Sequence, residues 1–356
     1  MIKQNKIIDP LETLQQDGFQ KLNELLKINH HSPTSSSMPL GIYAFRYLFS
    51  TQEQRREFEG NANMAAGVAT NDAMQWHYSN DIWSFNPNKR KLAPHKNTKL
   101  SKDEAIAKAM EKFNEYVPVN DKDQAKKEHY QQTIPQTCRQ GFLAFDKIGT
   151  QNSEKVVAED SINHIDNRLS LPICGRTDVH FTTNKVFNAS SQGVAAPSTS
   201  YTDAPFLSDL NVVELKTSWQ RPGRVKKDGT VSFASAKLPS QPNINHLQQL
   251  AFYCCALRKQ MAVSPYLIYL TEGDFMIYTA KNCADLEPQN LNNYYEQLVA
   301  NCLRKERLLS RYIDLDEPDM ILAEIAKDVE PNFDHMFYWN IGAKHYARAK
   351  NIWRQV

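Results

Sequence analysis

The chain has 356 residues, with 42 lysines and arginines against 40 aspartates and glutamates and a formal net charge of +2. That length can bury a real core, and near-neutrality excludes binding to nucleic acid by bulk charge, so any such affinity must come from local patches. Cys138, Cys174, Cys254, Cys255, Cys283 and Cys302 include no Cys-x-x-Cys pair, which excludes a thiolate metal knuckle and predicts reduced thiols. No apolar run approaches membrane-spanning length. Asp9, Glu12 and Asp17 make the N-terminus too acidic for an organellar transit peptide. The expectation is a cytoplasmic protein without a membrane partner.

Leu11, Leu14, Phe19, Leu22, Leu25 and Leu26 predict an amphipathic helix over 10–28, and His30–Ser37 reads as a Ser/Pro/His linker. Pro39–Phe49 is apolar and aromatic and carries Arg46; a helix is expected over Thr51–Ser79, Ala-rich between Met64 and Gln75. Lys89-Arg-Lys91 with His95, Lys96 and Lys99 reads as a basic loop, interleaved with Pro87 and Pro94 and preceded by Trp83 and Phe85. Ser101-Lys-Asp-Glu104 is a capping box opening a helix to Tyr116, and another helix is expected over 122–145 with an interruption near Pro135. Strands are expected over 155–165, 171–183 and 210–217, with a Ser/Ala/Thr-rich insertion over Asn188–Pro205. A basic loop carries Arg221, Arg224, Lys226 and Lys227. It is followed by a helix over His246–Arg258, a hairpin over Pro265–Leu270 and Phe275–Thr279, a helix over Asn290–Leu309 and a helical segment over 317–356.

The chemistry concentrates in Asn211-Val-Val-Glu-Leu-Lys-Thr-Ser218. Side chains alternate along a strand, so Glu214 and Lys216 project to one side while Leu215 points into the core. Val212 and Val213 make an apolar run that ends in charge, as where a buried strand emerges at a cleft. Asp178, at the end of Gly175-Arg-Thr-Asp178, is expected inside the preceding strand, beside Glu214. Two carboxylates hold a hard divalent cation, with an ammonium at hand. Oxygen-only ligation points to Mg²⁺ or Mn²⁺, and two carboxylates leave one ion or two open. On the helix His246-Leu-Gln-Gln-Leu-Ala-Phe-Tyr253, the spacing places His246, Gln249 and Tyr253 on one face, where an amide and a phenol can orient a phosphate, a base or a water. Leu247, Leu250, Ala251 and Cys254 form the packing side.

The order Gly175-x-x-Asp178, Glu214-x-Lys216-Thr-Ser, then Gln249-x-x-x-Tyr253 resembles the RecB-like branch of the PD-(D/E)XK nucleases. It is similar to the mitochondrial genome maintenance exonuclease group and its phage and bacterial relatives. The likeness covers roughly residues 170–310, more weakly 40–80. It implies an α/β fold: a mixed central sheet flanked by helices, with a helical insertion and a helical C-terminal extension. The implied organisation is an N-terminal helix and linker over 1–38, a nuclease domain over 39–310 (insertion about 80–150, loop about 186–208) and an extension over 311–356.

By that resemblance Asp178, Glu214, Lys216, Gln249 and Tyr253 are the catalytic set. Asp178, Glu214 and the Leu215 carbonyl hold the metal. Such proteins carry Gly-x-x-x-His on a helix before the core; here Gly67 fits, but Asn71 stands at the histidine position and offers a carbonyl ligand instead. Arg46, Arg176, Thr217, Ser218, Arg221, Arg224, Lys226, Lys227 and His246 are the expected DNA contacts. Some relatives on this branch carry an iron–sulfur cluster on four cysteines, and the cysteine spacing here predicts none. The expected activity is metal-dependent exonucleolytic hydrolysis of DNA from single-stranded ends, in a bacterial or phage-infected cytoplasm. The alternatives are an endonuclease on the same fold and an inactive nucleic-acid-binding protein.

Overall fold

The computed structural model describes residues 28–50, 54, 60–86, 91–183, 209–225, 231–258, 262–313, 326–329, 331–334 and 343–354. The expected helix over 10–28, the insertion over 188–205, the tips of both basic loops (Lys89, Arg90, Lys226, Lys227) and most of 314–342 lie outside them. Two compact units result. One comprises Ala62–Ile162 and Arg176–Asn292; the other comprises Met1–Asn61, Asn163–Gly175 and Asn293–Val356.

The second of these contains α1 (Pro33–Ser36) and α2 (Leu40–Tyr47). Where a linker was expected over His30–Ser37, Ser32 accepts the Ser35 N–H in a capping box with proline at the first turn, and that local chemistry closes a short helix. Ile42, Tyr43, Phe45 and Leu48 form a core with Leu308, Leu309 and Ala349. Gly41 sits where a Cβ would meet the Val329 carbonyl oxygen at 2.6 Å and the Pro331 Cα at 2.7 Å. Backbone on both sides cannot yield as a side chain can. Gly41→Ala is therefore expected to destabilise this unit by roughly 1–3 kcal/mol or more, read as a lowered thermal midpoint; an unchanged midpoint would contradict the packing.

The larger unit opens with α3 (Ala62–Tyr78), shorter than the expected Thr51–Ser79 because Gly60 and Asn61 are not helical. β1 (Asp81–Asn86) and β2 (Lys91–Lys96) follow as an antiparallel pair. This corrects the expected basic loop. β2 ends the sheet, and a strand at an edge tolerates Pro94 and its lysines. Trp83 and Pro94 are register partners, and Lys96 pairs with Asp81 at 3.0 Å.

α4 (Lys102–Asn114) starts on the predicted Ser101 and Glu104 box. α5 (Asp121–Lys147) runs straight through Pro135. Proline removes one backbone hydrogen bond, but Tyr130, Ile134, Cys138, Phe142 and Phe145 are all buried at helical spacing on both sides of it, and that packing keeps the helix whole.

The expected strand over 155–165 divides into β3 (Lys155–Ala158) and β4 (Ser161–His164). That over 171–183 divides into β5 (Ile173–Arg176) and β6 (Val179–Thr183). Then come β7 (Asp209–Thr217), the antiparallel ribbon β8 (Arg221–Val225) and β9 (Val231–Ala234), α6 (Ile244–Leu257), and the predicted hairpin as β10 (Val263–Leu270) and β11 (Phe275–Tyr278). The chain continues into α7 (Pro288–Ile313) and, later, α8 (Ala343–Arg354).

The main sheet has seven strands in the order β11-β10-β7-β6-β3-β1-β2. It is mixed: β7 runs parallel to β10 and antiparallel to β6, and β3 runs parallel to β1. Helices flank it. The buried faces of α3, α4 and α5 share one core with Val156, Val179, Val213, Leu215, Ile268 and Leu270. The alternate residues of β7 and β10, Glu214, Lys216 and Tyr269, turn to the opposite face, where α6 packs. The chain is thus an α/β protein with a mixed central sheet flanked by helices. Among the described residues no helix is long and apolar enough to cross a membrane.

Candidate active site

β6 stops pairing with β7 at Val179 and Val213, so the last four residues of β7 project beyond it. Into that step the chain inserts Asp178. It lies between β5 and β6 rather than inside a strand, a correction to the expected continuous strand; the break is fixed by the Thr177 N–H donating to the Asp160 carbonyl at 3.1 Å. One Asp178 oxygen accepts the Leu215 N–H at 2.7 Å and the other accepts the Asn71 amide at 3.2 Å. A strand residue sends its N–H and C=O out by the same edge. The Leu215 carbonyl therefore faces the Asp178 side, where a ligand role was expected of it.

Glu214 is completely buried. The Lys216 ammonium donates to Glu214 Oε1 and, at 3.4 Å, to Gln249 Oε1. Gln249 in turn donates through Nε2 to the Tyr253 hydroxyl at 3.1 Å, and that hydroxyl donates to the Arg176 carbonyl at 2.5 Å. A single chain of contacts thus links α6, β7 and the segment that presents Asp178. Asp178, Glu214, Lys216, Gln249, Tyr253 and Asn71 are brought together as expected.

Burial opposes the charge on Glu214, and Asp178 opposes it further, so the carboxyl is pushed up to about 8. The same two kinds of cause act on Asp178, which burial raises against the pull of Lys216. For Lys216 burial works against the ammonium, but Glu214 and Asp178 outweigh it and hold the group above its ordinary value. A carboxyl raised from 4.5 to about 8 holds its proton in the fold at pH values where the unfolded chain has released it. Stability in chelator should therefore fall as pH rises through that window, by up to about 1.4 kcal/mol per unit. Glu214→Gln should flatten the slope; a parent protein whose unfolding free energy rises from pH 5 to 8 would contradict the assignment.

Two acceptors at the centre of this cluster are buried without a hydrogen-bond partner among the described residues: Glu214 Oε2 and Asn71 Oδ1. Unpaired buried acceptors are costly and call for a donor or a cation. With the Asp178 carboxylate and the Leu215 carbonyl, and with the Asn71 amide turned over, they would make an all-oxygen donor set suited to Mg²⁺ or Mn²⁺. Among the described residues no group of three His, Cys, Asp or Glu side chains converges tightly enough to hold a metal ion by itself. The set therefore depends on two carboxylates supplemented by neutral oxygens and water, as Mg²⁺ prefers. Asn71 presents its amide nitrogen to Asp178 here, and turning that amide would present the oxygen instead.

The other expected contacts are dispersed. Gly67, one turn before Asn71, lets α3 approach β7: a Cβ there would meet Thr217 Oγ1 at 3.1 Å. Thr217 also accepts from the Trp219 indole at 2.9 Å, and the Ser218 N–H donates to the Leu270 carbonyl at 2.8 Å. Both are engaged in building the strand end. His246 bonds the Tyr269 hydroxyl at 2.8 Å, and burial, followed by the nearby Lys216 charge, pushes its imidazole down to about 3. It stands as a neutral imidazole held against β10 by that contact. Arg176 is half exposed, and Arg221 and Arg224 on β8 are exposed. Arg46 belongs to the other compact unit, and Lys226 and Lys227 lie outside the described residues.

Two residues were absent from the expected set. Glu159, at the end of β3, accepts from Gln75 Nε2 at 2.8 Å and stands 3.8 Å from the Arg176 guanidinium. Its backbone is left-handed, φ 54°, the sole non-glycine of positive φ among the described residues. No motif marked either one; the only sequence signal is that Gln75 lies one turn beyond Asn71 on the same helix face. No protein-family model matches the chain, and no curated protein matches it either.

Proposed function

We propose that the chain is a cation-dependent nuclease with a PD-(D/E)XK core, hydrolysing DNA phosphodiesters from free, single-stranded ends. The observation that carries this reading is the fully buried Glu214, with one oxygen on the Lys216 ammonium and the other unpartnered, beside Asp178 at the open end of β7. That second oxygen has no hydrogen-bond partner among the described residues, and a bound cation would take the place of the proton that burial keeps on the carboxyl.

The residues divide the work. Asp178 is clamped by the Leu215 N–H, so its carboxylate is set in place by the same strand that carries Glu214. Mg²⁺ or Mn²⁺ held by Asp178, Glu214, the Leu215 carbonyl and Asn71 would supply Lewis acidity toward a phosphoryl oxygen and a more acidic water. Lys216, tethered between Glu214 and Gln249, orients the attacking water and offsets charge growing on the phosphoryl oxygens. Gln249 is itself fixed by Tyr253, whose hydroxyl is anchored on the Arg176 carbonyl, so the ammonium cannot swing away. Arg221 and Arg224 extend from the ribbon directly after the catalytic strand and suit contacts to the phosphate backbone.

Linear single-stranded, linear double-stranded and circular DNA, each with Mg²⁺ or chelator, test the reading. Loss of linear single strands in Mg²⁺, with circles intact, is expected. Cutting of circles would replace it with an endonuclease, and binding without any cutting would replace it with a nucleic-acid-binding protein.

A further inference from the structure

We propose that Glu159 is a third carboxylate of this cation site, reaching the ion through its hydration shell in competition with Arg176. The inference rests on the cation-site reading above and adds a residue to it. The geometry begins in the sheet. Ala158 and Val179 are register partners, so the next residue of one strand and the preceding residue of the other, Glu159 and Asp178, meet at the same end of the β3–β6 pair.

Helix α3 measures the distance between them. Asn71 donates to Asp178 and Gln75, four residues on, donates to Glu159. Four residues of helix rise about 6 Å, so the two carboxylates lie under successive turns, about that far apart. This is too wide for both to grip one bare ion and suits one direct contact and one through water. It agrees with the absence, among the described residues, of three acidic or imidazole groups converging on a single point.

A second observation makes this more than a cluster of acids. Glu214 Oε2 is buried and unpartnered beside them, an acceptor for which no described side chain supplies a donor. The partners Glu159 does have are weak holds: one neutral amide, and a guanidinium at 3.8 Å on a side chain that is half exposed. Burial, and the charge of Asp178, push the Glu159 carboxyl up despite the Gln75 hydrogen bond. Its left-handed backbone is one that glycine or asparagine adopts more readily than glutamate. Strain and like-charge crowding at one residue are the marks of a group retained for its chemistry and not for the fold.

Manganese titration followed by calorimetry and by electron paramagnetic resonance, on the full chain, tests this. Glu159→Asn suits the left-handed backbone and removes the charge, so the chelated protein should melt at the parent's temperature or above it while Mn²⁺ binds about tenfold more weakly or worse. Glu159→Gln, which keeps the shape and an acceptor for Gln75, should show the same weakening. Parental Mn²⁺ affinity in both variants would overturn the inference and leave the two-carboxylate site standing. A lowered melting temperature in Glu159→Asn with parental affinity in Glu159→Gln would overturn it too, marking a structural anchor. A parent protein that takes up no Mn²⁺ would remove the cation site itself, and this residue's role with it.

Discussion

Lys216→Ala is expected to give a folded protein that still binds DNA and has lost cleavage by roughly 10²–10³-fold, the scale of removing one preorganised charge-stabilising group. Truncating one partner of a buried ion pair ordinarily costs several kcal/mol because the other charge is left stranded. Here the remaining group is Glu214, whose carboxyl already holds its proton up to about pH 8 with the ammonium present. Without Lys216 it holds that proton more strongly, so little charge is stranded near neutrality and the sheet survives. On the proposed reading strand affinity would rest on several phosphate contacts, and losing one cation would lower the salt slope by at most about one. Single-turnover cleavage beside fluorescence-anisotropy binding separates the outcomes. Retained cutting would remove Lys216 from the chemistry, and failure to bind would move its role from the reaction to the substrate grip.

Asp178→Asn should abolish cation-supported cleavage and leave the protein as stable as its parent, or more so, in chelator. The asparagine oxygen can accept the Leu215 N–H, which now meets the aspartate at 2.7 Å. Its new amide can donate to Asn71 Oδ1, an acceptor that now has no partner, once the Asn71 amide turns over. The hydrogen-bond count is kept while a buried negative charge beside Glu214 is deleted. Divalent-cation affinity should drop by more than about 100-fold, beyond what outer contacts contribute. Melting curves with and without Mg²⁺ check both halves: the parent should be stabilised by the cation and the variant should not. Equal Mg²⁺ stabilisation of the two would sink the assignment of Asp178 as a ligand.

Which parts of this were legible from the chain alone follows from how local each signal is. Glu214 and Lys216 could be placed because Val212 and Val213 announce a buried strand and alternation does the rest. Gln249 and Tyr253 could be placed because four residues on a helix define a face, and the structure has them hydrogen-bonded. Asp178 was identifiable as a residue but not as a position. The break that exposes it depends on a backbone contact between Thr177 and Asp160, seventeen positions back, for which no local pattern exists.

Glu159 illustrates the limit more sharply. Its importance comes from strand register and from a left-handed backbone that would normally be read off a glycine or asparagine. The β1–β2 hairpin was hidden by its own edge chemistry. Lysines and a proline are what an outer strand uses, and in sequence they look like a loop. The unbroken α5 shows the opposite error, a local breaker at Pro135 overruled by a row of buried side chains on either side.

The most direct measurement is anomalous scattering from crystals grown with Mn²⁺. A peak is expected within ligand distance of a carboxylate oxygen of both Asp178 and Glu214, with the Lys216 ammonium nearby. Density showing Mn²⁺ elsewhere, or none between those two side chains under saturating ion, would contradict it.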